Sequence, residues 1–162
     1  MAEAAAADSL PRGAGRPGGL RTRMSDPYDL QRFETAQEGV YEAALGELRA
    51  GRKTGHWMWF IFPQIAGLGM SAMSQRYAIS SLAEAQAYLR HPVLGARLAE
   101  CARVLAEHSG RSAQDIFGGI DAVKLRSSMT LFARASDAGS IYQDVLDRYF
   151  DGAADEQTVA RI

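Results

Sequence analysis

All-α is the fold class this sequence predicts, as a compact multihelical single domain of about seven or eight short helices over residues 24–162. Three observations predict it. Apolar residues recur at threes and fours with no competing strand alternation, helix-start and helix-stop residues cut the pattern into short pieces, and no internal repeat is present.

Residues 1–23 stand apart. The alanine run Ala4 to Ala7 and then Pro11, Gly13, Gly15, Pro17, Gly18 and Gly19 carry no hydrophobic period, so this segment reads as a disordered arm. Arg12, Arg16, Arg21 and Arg23 against Glu3 and Asp8 make it basic, and without an apolar stretch behind them they do not form a secretory signal. Met24-Ser25-Asp26-Pro27 is a helix-start signal, and translation is expected to begin naturally at Met24.

From Asp26 the period is helical. Pro27 suits a first helical position, and Leu30, Phe33, Val40, Tyr41, Ala44, Leu45 and Leu48 fall on one face; Gly39 weakens the middle and Gly51 supplies a left-handed stop, giving two short helices or one bent one. Ser81-Leu82-Ala83-Glu84 matches a capping box for a helix to about Arg90. His91-Pro92 breaks it and Pro92 opens the next, whose Leu94, Leu98, Cys101 and Leu105 share a stripe ending before Gly110. Ser112 caps a short turn through Phe117, Gly118-Gly119 makes a hinge-like break, and Asp121 caps a helix carrying Leu125, Met129 and Phe132. Ile141, Val145, Leu146, Tyr149 and Phe150 give the next apolar face, Gly152 stops it, and Asp155 caps a last turn.

Composition narrows the function classes. Hydrophobic residues at 47% and charged residues at 23% are ordinary for a soluble domain, and a formal net charge of −1 sets up no broad basic field for specific nucleic-acid binding. The apolar runs are too short to span a membrane, and a single cysteine, Cys101, cannot form an internal disulfide, so a cytoplasmic location is expected. His56, His91 and His108 show no metal-ligand spacing; no metal and no cofactor are assigned.

The densest signal is His56-Trp57-Met58-Trp59-Phe60-Ile61-Phe62-Pro63-Gln64, which holds both tryptophans of the chain. Apolar residues fill every position from Trp57 to Phe62, so the segment must be surrounded by protein, as a short buried helix ending near Pro63. One reading makes it a core element with His56 hydrogen-bonded to backbone. The other makes it the wall of a stacking pocket in which Trp57 and Trp59 hold a planar ligand oriented by His56 and Gln64. Gly67-Leu68-Gly69 lacks the rest of a phosphate-loop pattern and reads as a connecting loop. The hydroxyl-rich segment after it, including Tyr77, suits caps and turns as well as ligand contacts.

A second polar cluster borders a buried face. At about 100° per residue, Asp121, Lys124 and Ser128 fall in one narrow sector beside Leu125, Met129 and Phe132. Lys124 paired with Asp121 is the structural reading. The functional reading assigns Asp121 as a catalytic base or ribose-hydroxyl acceptor, Lys124 as an anion anchor, and Ser127 and Ser128 as hydroxyl ligands.

Asp26-Pro27-Tyr28-Asp29-Leu30, the His56–Gln64 run, His91-Pro92-Val93-Leu94-Gly95, Ile116-Phe117-Gly118 and Lys124-Leu125-Arg126-Ser127-Ser128-Met129 together resemble a bacterial family of all-α proteins catalogued as a domain of unknown function. Some members carry a calpastatin label, which does not suit a folded chain because calpastatin repeats are disordered. The resemblance spans Asp26 to Ile162, implies a multihelical single domain, and brings no activity or catalytic residue. A fainter likeness to the NADAR family of ADP-ribose glycosidases rests on the His91-Pro92-x-Leu94 helix start and the Phe117-Gly118-x-x-Asp121 turn.

The leading expectation is therefore a small-molecule pocket, suited to a nucleotide-like ligand, between the His56–Gln64 segment and the Asp121–Ser128 helix start. The alternatives are a protein-interaction module using exposed aromatics, and an N-glycosidase acting on ADP-ribose-type compounds through Asp121. Neither an enzymatic role nor an oligomeric state follows from the sequence.

Overall fold

A computed structural model describes residues 26–162; the arm assigned to residues 1–23 and the proposed start at Met24 lie outside them. Among the described residues the chain forms nine helices and no strand, so it is all-α. They are α1 (Gln31–Gln37), α2 (Tyr41–Ala50), α3 (Met58–Ile61), α4 (Ala72–Arg76), α5 (Leu82–Arg90), α6 (Leu94–Glu107), α7 (Ala113–Arg134), α8 (Ile141–Phe150) and α9 (Glu156–Val159).

The first helix starts four residues later than Pro27 predicts. Asp26 explains the delay: its carboxylate accepts the amides of Leu30 at 2.7 Å and Gln31 at 2.9 Å, folding residues 26–30 into a turn with Asp29 at φ 54°. Such a side-chain cap satisfies amides that the first turn of a helix leaves open.

Over residues 33–162 the core is built on α6, α7 and α8. The last of these packs against both of the others, while α2 and α5 lie against α6. Leu94, Leu98, Cys101 and Leu105 of α6 are fully buried, as are Leu125, Met129 and Phe132 of α7. In α8 the buried aromatic is Tyr142, with Val145 and Leu146, whereas Tyr149 is half-buried and its hydroxyl donates to the Leu105 carbonyl at 2.6 Å. Burial pushes the Cys101 thiol up to about 12, so it stays a protonated core residue.

Buried polar groups join elements distant in sequence. Gln37 of α1 donates to the Phe60 carbonyl at 2.8 Å and to the Tyr88 hydroxyl at 3.2 Å, and its carbonyl accepts from Arg97 at 3.1 Å. One amide thereby ties α1 to α3, α5 and α6. At the corner between α5 and α6, His91 Nδ1 accepts the amides of Val93 at 3.1 Å and Leu94 at 3.2 Å, so the ring acts as a helix cap. That leaves Nε2 to carry the proton, 3.0 Å from a Glu34 carboxylate oxygen. Helix α6 consequently opens at Leu94, two residues after Pro92. Gly95 completes the corner: a Cβ there would lie 2.1 Å from the Leu89 carbonyl oxygen.

The path of α7 breaks at Gly118, whose φ 80°, ψ 167° is non-helical, open to glycine and strained for other residues, so a short piece capped by Ser112 is joined to a longer helix at the hinge-like break that Gly118-Gly119 predicts. Two departures from the sequence reading set up the site. Ser112 and Asp115 form a capping box at the start of α7, and Asp121 falls within the continuing helix, not at a cap. The aromatic run, in turn, is only partly helical. His56 and Trp57 precede the single turn of α3, and Gln64-Ile65-Ala66 is extended: Ile79 donates to the Gln64 carbonyl and Ala66 to the Ile79 carbonyl, each at 2.8 Å, in an isolated parallel bridge.

Candidate functional site

The aromatic run divides between two clusters. Trp57 and Phe62 pack with Phe117 of α7, ring centroids 6.1 to 6.5 Å apart, while Phe60 packs on Tyr77, which meets Phe33 and through it Tyr88. Trp57 is 2% exposed and sealed in the core. Among the run's aromatics only Trp59 is left half-buried.

A carboxylate latch fixes the approach to the run. Glu47 Oε1 accepts the amides of Thr54 at 2.7 Å and Gly55 at 2.9 Å and the Trp57 indole N–H at 3.0 Å. Burial raises the Glu47 pKa, but the Gly55, Thr54 and Trp57 donors lower it by more, so the group titrates below its ordinary value. Lys53, in the same loop, donates its amide to the Ile116 carbonyl at 2.8 Å, which docks the loop on the first part of α7.

Beyond the kink, α7 presents Asp121 to two lysines. Lys53 Nζ lies 2.8 Å from Asp121 Oδ2, donates to the Gly55 carbonyl at 2.6 Å and sits 5.0 Å from the centroid of the Trp57 ring. Lys124 Nζ lies 3.7 Å from Asp121 Oδ1 and 5.2 Å from the centroid of the Trp59 ring. Each lysine covers one tryptophan, and a single carboxylate stands between them.

Two cavities adjoin this cluster. The smaller, about 160 Å³, is lined by Trp59, Tyr77, Gln75 and the loop from Gln64 to Gly69. The larger measures about 400 Å³, and Gln64, Leu68, Gly69 and Ser74 line both, so together they make a groove. Helix α7 contributes Ile120, Val123, Lys124 and Ser127 to the larger cavity, and Asp155 and Gln157 complete it. Lys124 stands at the junction, lining the larger cavity with its ammonium over the ring that lines the smaller.

The sequence-predicted residues therefore separate. Trp59, Gln64, Tyr77, Lys124 and Ser127 line the groove; His56, Trp57, Asp121 and Ser128 do not. His56 is exposed ahead of α3, and Trp57 is turned into the core by its bond to Glu47. Ser128 is fully buried, and its hydroxyl has no hydrogen-bond partner among the described residues. Asp121 Oδ2 lies 2.8 Å from Lys53 Nζ and Oδ1 lies 3.7 Å from Lys124 Nζ, so its charge is compensated chiefly by Lys53. Ser127 Oγ lies 3.0 Å from Asp155 Oδ2 and 3.2 Å from the Val123 carbonyl oxygen, two acceptors for its one hydroxyl proton.

Sequence reasoning missed Lys53, Glu47, Ile120, Val123, Asp155 as a lining residue, and Gln157. One signal was available: Ile120 and Val123, three apart on the polar-flanked side of α7, do not match its buried stripe. They prove 77% and 62% exposed, and Met70 beside the loop is 85% exposed. The loop's weak glycine signal also has a local reason. A Cβ on Gly69 would lie 2.5 Å from Ser74 Oγ, and one on Gly67 would lie 3.0 Å from Arg161 Nε, so the loop lies tight against its neighbours while lining both cavities.

Fold and groove together describe an all-α domain with an indole-walled cleft beside a lysine–aspartate–lysine cluster. By sequence, the chain belongs to the DUF1810 family, described as protein of unknown function, whose profile matches residues 27–162. It is similar to the crystal structure of the conserved hypothetical protein Rv1873 from Mycobacterium tuberculosis, with 56% sequence identity, 83% of this chain and 96% of that chain covered, and a TM-score of 0.82. Comparison with curated proteins gives no match. Neither likeness carries a calpastatin or NADAR assignment. In the described residues, no helix is long and apolar enough to cross a membrane, and no group of three or more His, Cys, Asp or Glu side chains is placed to hold a metal ion.

Proposed function

We propose that the groove between the Trp59–Gly69 segment and α7 binds a small, nucleotide-like molecule. The observation that carries this reading is the continuity of the two cavities through Gln64, Leu68, Gly69 and Ser74, with an indole at one end and apolar α7 side chains at the other. A volume of about 400 Å³ for the larger part falls in the range of roughly 300–1,000 Å³ for ligand sites, and the mixed lining suits a flat ring with polar edges. The Trp59 side chain lines the smaller cavity, and its indole N–H is buried without a partner among the described residues. Asp121 is read as a positioning residue that holds both lysines, and no reaction is assigned.

Mass spectrometry of ligands released from natively purified protein, with a thermal-shift panel of nucleotides and NAD metabolites, tests this. A retained compound, or a rise in melting temperature that Lys124→Ala abolishes, supports the reading. An empty spectrum together with a flat panel sinks it.

A second reading is favoured by one observation: Met70, Ile120 and Val123 are among the few large apolar side chains left exposed, and two of them line the groove. Such a patch suits a protein partner. If Ile120→Glu abolishes a stable complex with a protein partner and the small-molecule panel is flat, interaction replaces ligand binding as the function of this face.

A further inference from the structure

The charges around the groove do not balance. Asp121 is the carboxylate shared by Lys53 and Lys124, and it is committed to Lys53, at 2.8 Å against 3.7 Å for Lys124. Lys53 also has the Gly55 carbonyl and a side chain only 7% exposed, so it is held in place. Lys124 has a long ion pair, an indole face and an open cavity. A second cation stands close by: the Arg161 guanidinium lies against Gly67, its Nη2 3.5 Å from that carbonyl oxygen, and is held by the Gln157 carbonyl and side chain at 2.9 and 3.0 Å. Against these, the larger cavity holds Asp155, whose Oδ2 already accepts from Ser127 Oγ, Thr158 Oγ1 and the Thr158 amide. Three donors disperse that negative charge, and Lys124 keeps most of its own.

We infer that the junction of the two cavities is an anion subsite, with Lys124 as its ligating group and the Trp59 ring beside it. The ligand class that follows is a flat molecule bearing one phosphate or carboxylate, its anion at Lys124 and its ring against the apolar α7 wall. Binding draws the ammonium from Asp121 toward the anion, and Lys53 keeps Asp121 compensated while this happens. A half-buried ammonium with a weak partner gains most from such a ligand, because the anion supplies the close charged acceptor that Asp121 at 3.7 Å does not. The inference deepens the proposed function and rests on the same groove, but the charge site is testable without knowing the ligand.

The chain has two tryptophans, and Trp57 is sealed, so collisional quenching by aqueous ions reports on Trp59. Iodide and caesium are compared at matched ionic strength, each quenching constant divided by that for N-acetyltryptophanamide because caesium is intrinsically the weaker quencher, with acrylamide as the neutral control. A protein of net charge −1 has no overall reason to favour iodide. Expected is iodide quenching roughly two-fold or more above caesium in the wild type, a preference kept in Lys124→Arg and lost in Lys124→Met. Orthophosphate or benzoate should then protect Trp59 from iodide, and whichever protects better identifies the anion as phosphate or flat carboxylate. Equal quenching by the two ions, a preference unchanged in Lys124→Met, no access by either ion, or no protection by either anion overturns the subsite. A failed nucleotide panel with the iodide preference intact removes the nucleotide and leaves the subsite; bound nucleotide with no iodide preference does the reverse.

Discussion

Trp57 with Lys53 and Trp59 with Lys124 are the same pair of residue types built twice, two residues apart along the run and on opposite sides of one aspartate. The first pair is closed. Its indole N–H is bonded to Glu47, its ring is packed on Phe62 and Phe117, and its lysine has a short ion pair and a carbonyl. The second pair is open, with an indole N–H that has no partner among the described residues, a long ion pair and a cavity on either side. Identical chemistry therefore serves as structure in one place and remains available for binding in the other. The difference is made by neighbours, above all by Glu47 and by the kink at Gly118.

The comparison breaks most easily at the indoles. Trp57→Ala should destabilise the protein by about 3–5 kcal/mol, the cost of a large cavity in a packed core, while Trp59→Ala should cost about 1 kcal/mol or less. Urea unfolding of the two variants measures this, and equal losses would mean that both are core residues. At the lysines the contrast is smaller. Lys53→Met should cost about 1–3 kcal/mol because it leaves the Asp121 carboxylate and the Gly55 carbonyl short of a buried donor, whereas Lys124→Met should stay within about 1 kcal/mol, as expected of a partly exposed ion pair.

Backbone strain gives the next effect. Gly118→Ala should lose about 1–2 kcal/mol, since φ 80° with ψ 167° is sparsely open to alanine, and should loosen the docking of Lys53 on Ile116. Hydrogen exchange at the Lys53 amide would register that loosening even where the melting temperature barely moves.

The smallest effect sharpens the role of Glu47. A carboxyl with its pKa lowered on folding contributes stability that is present above its unfolded value, near 4.3, and is lost as pH falls through the folded value. Glu47→Gln should therefore be less stable than the wild type at pH 7, and the gap should narrow as the pH drops below about 4.5. Urea midpoints measured from pH 7 to pH 3 would show this; a gap independent of pH would mean that Glu47 acts by shape rather than charge.

Much of the helical frame was readable from local signals. Ser112 and Asp155 cap as their types predict, Gly51 ends α2 in the left-handed region, and the stripe Leu94, Leu98, Cys101, Leu105 is buried as its spacing requires. The aromatic run resisted the same treatment. With every position apolar there is no polar side to orient it, so neither its split into two clusters nor its passage from one helical turn into a bridged extended segment could be read off. Of the residues that line the groove, Trp59, Gln64, Tyr77, Lys124 and Ser127 were singled out from residue type and position. Lys53, Glu47 and Asp155 were not, because their roles come from long-range contacts: Lys53 meets Asp121 only once the loop has docked on α7, and Asp155 meets Ser127 only once the C-terminal turn has folded back.

The corner at His91–Gly95 bears on how such proteins are recognised at all. Its imidazole stands where a serine or aspartate cap commonly sits, and any side chain in place of its glycine would run into a backbone oxygen that cannot step aside, so the stretch is a joint whose letters are dictated by geometry. A chain sharing this stretch shares a way of turning one helix into the next. It need not share a ligand.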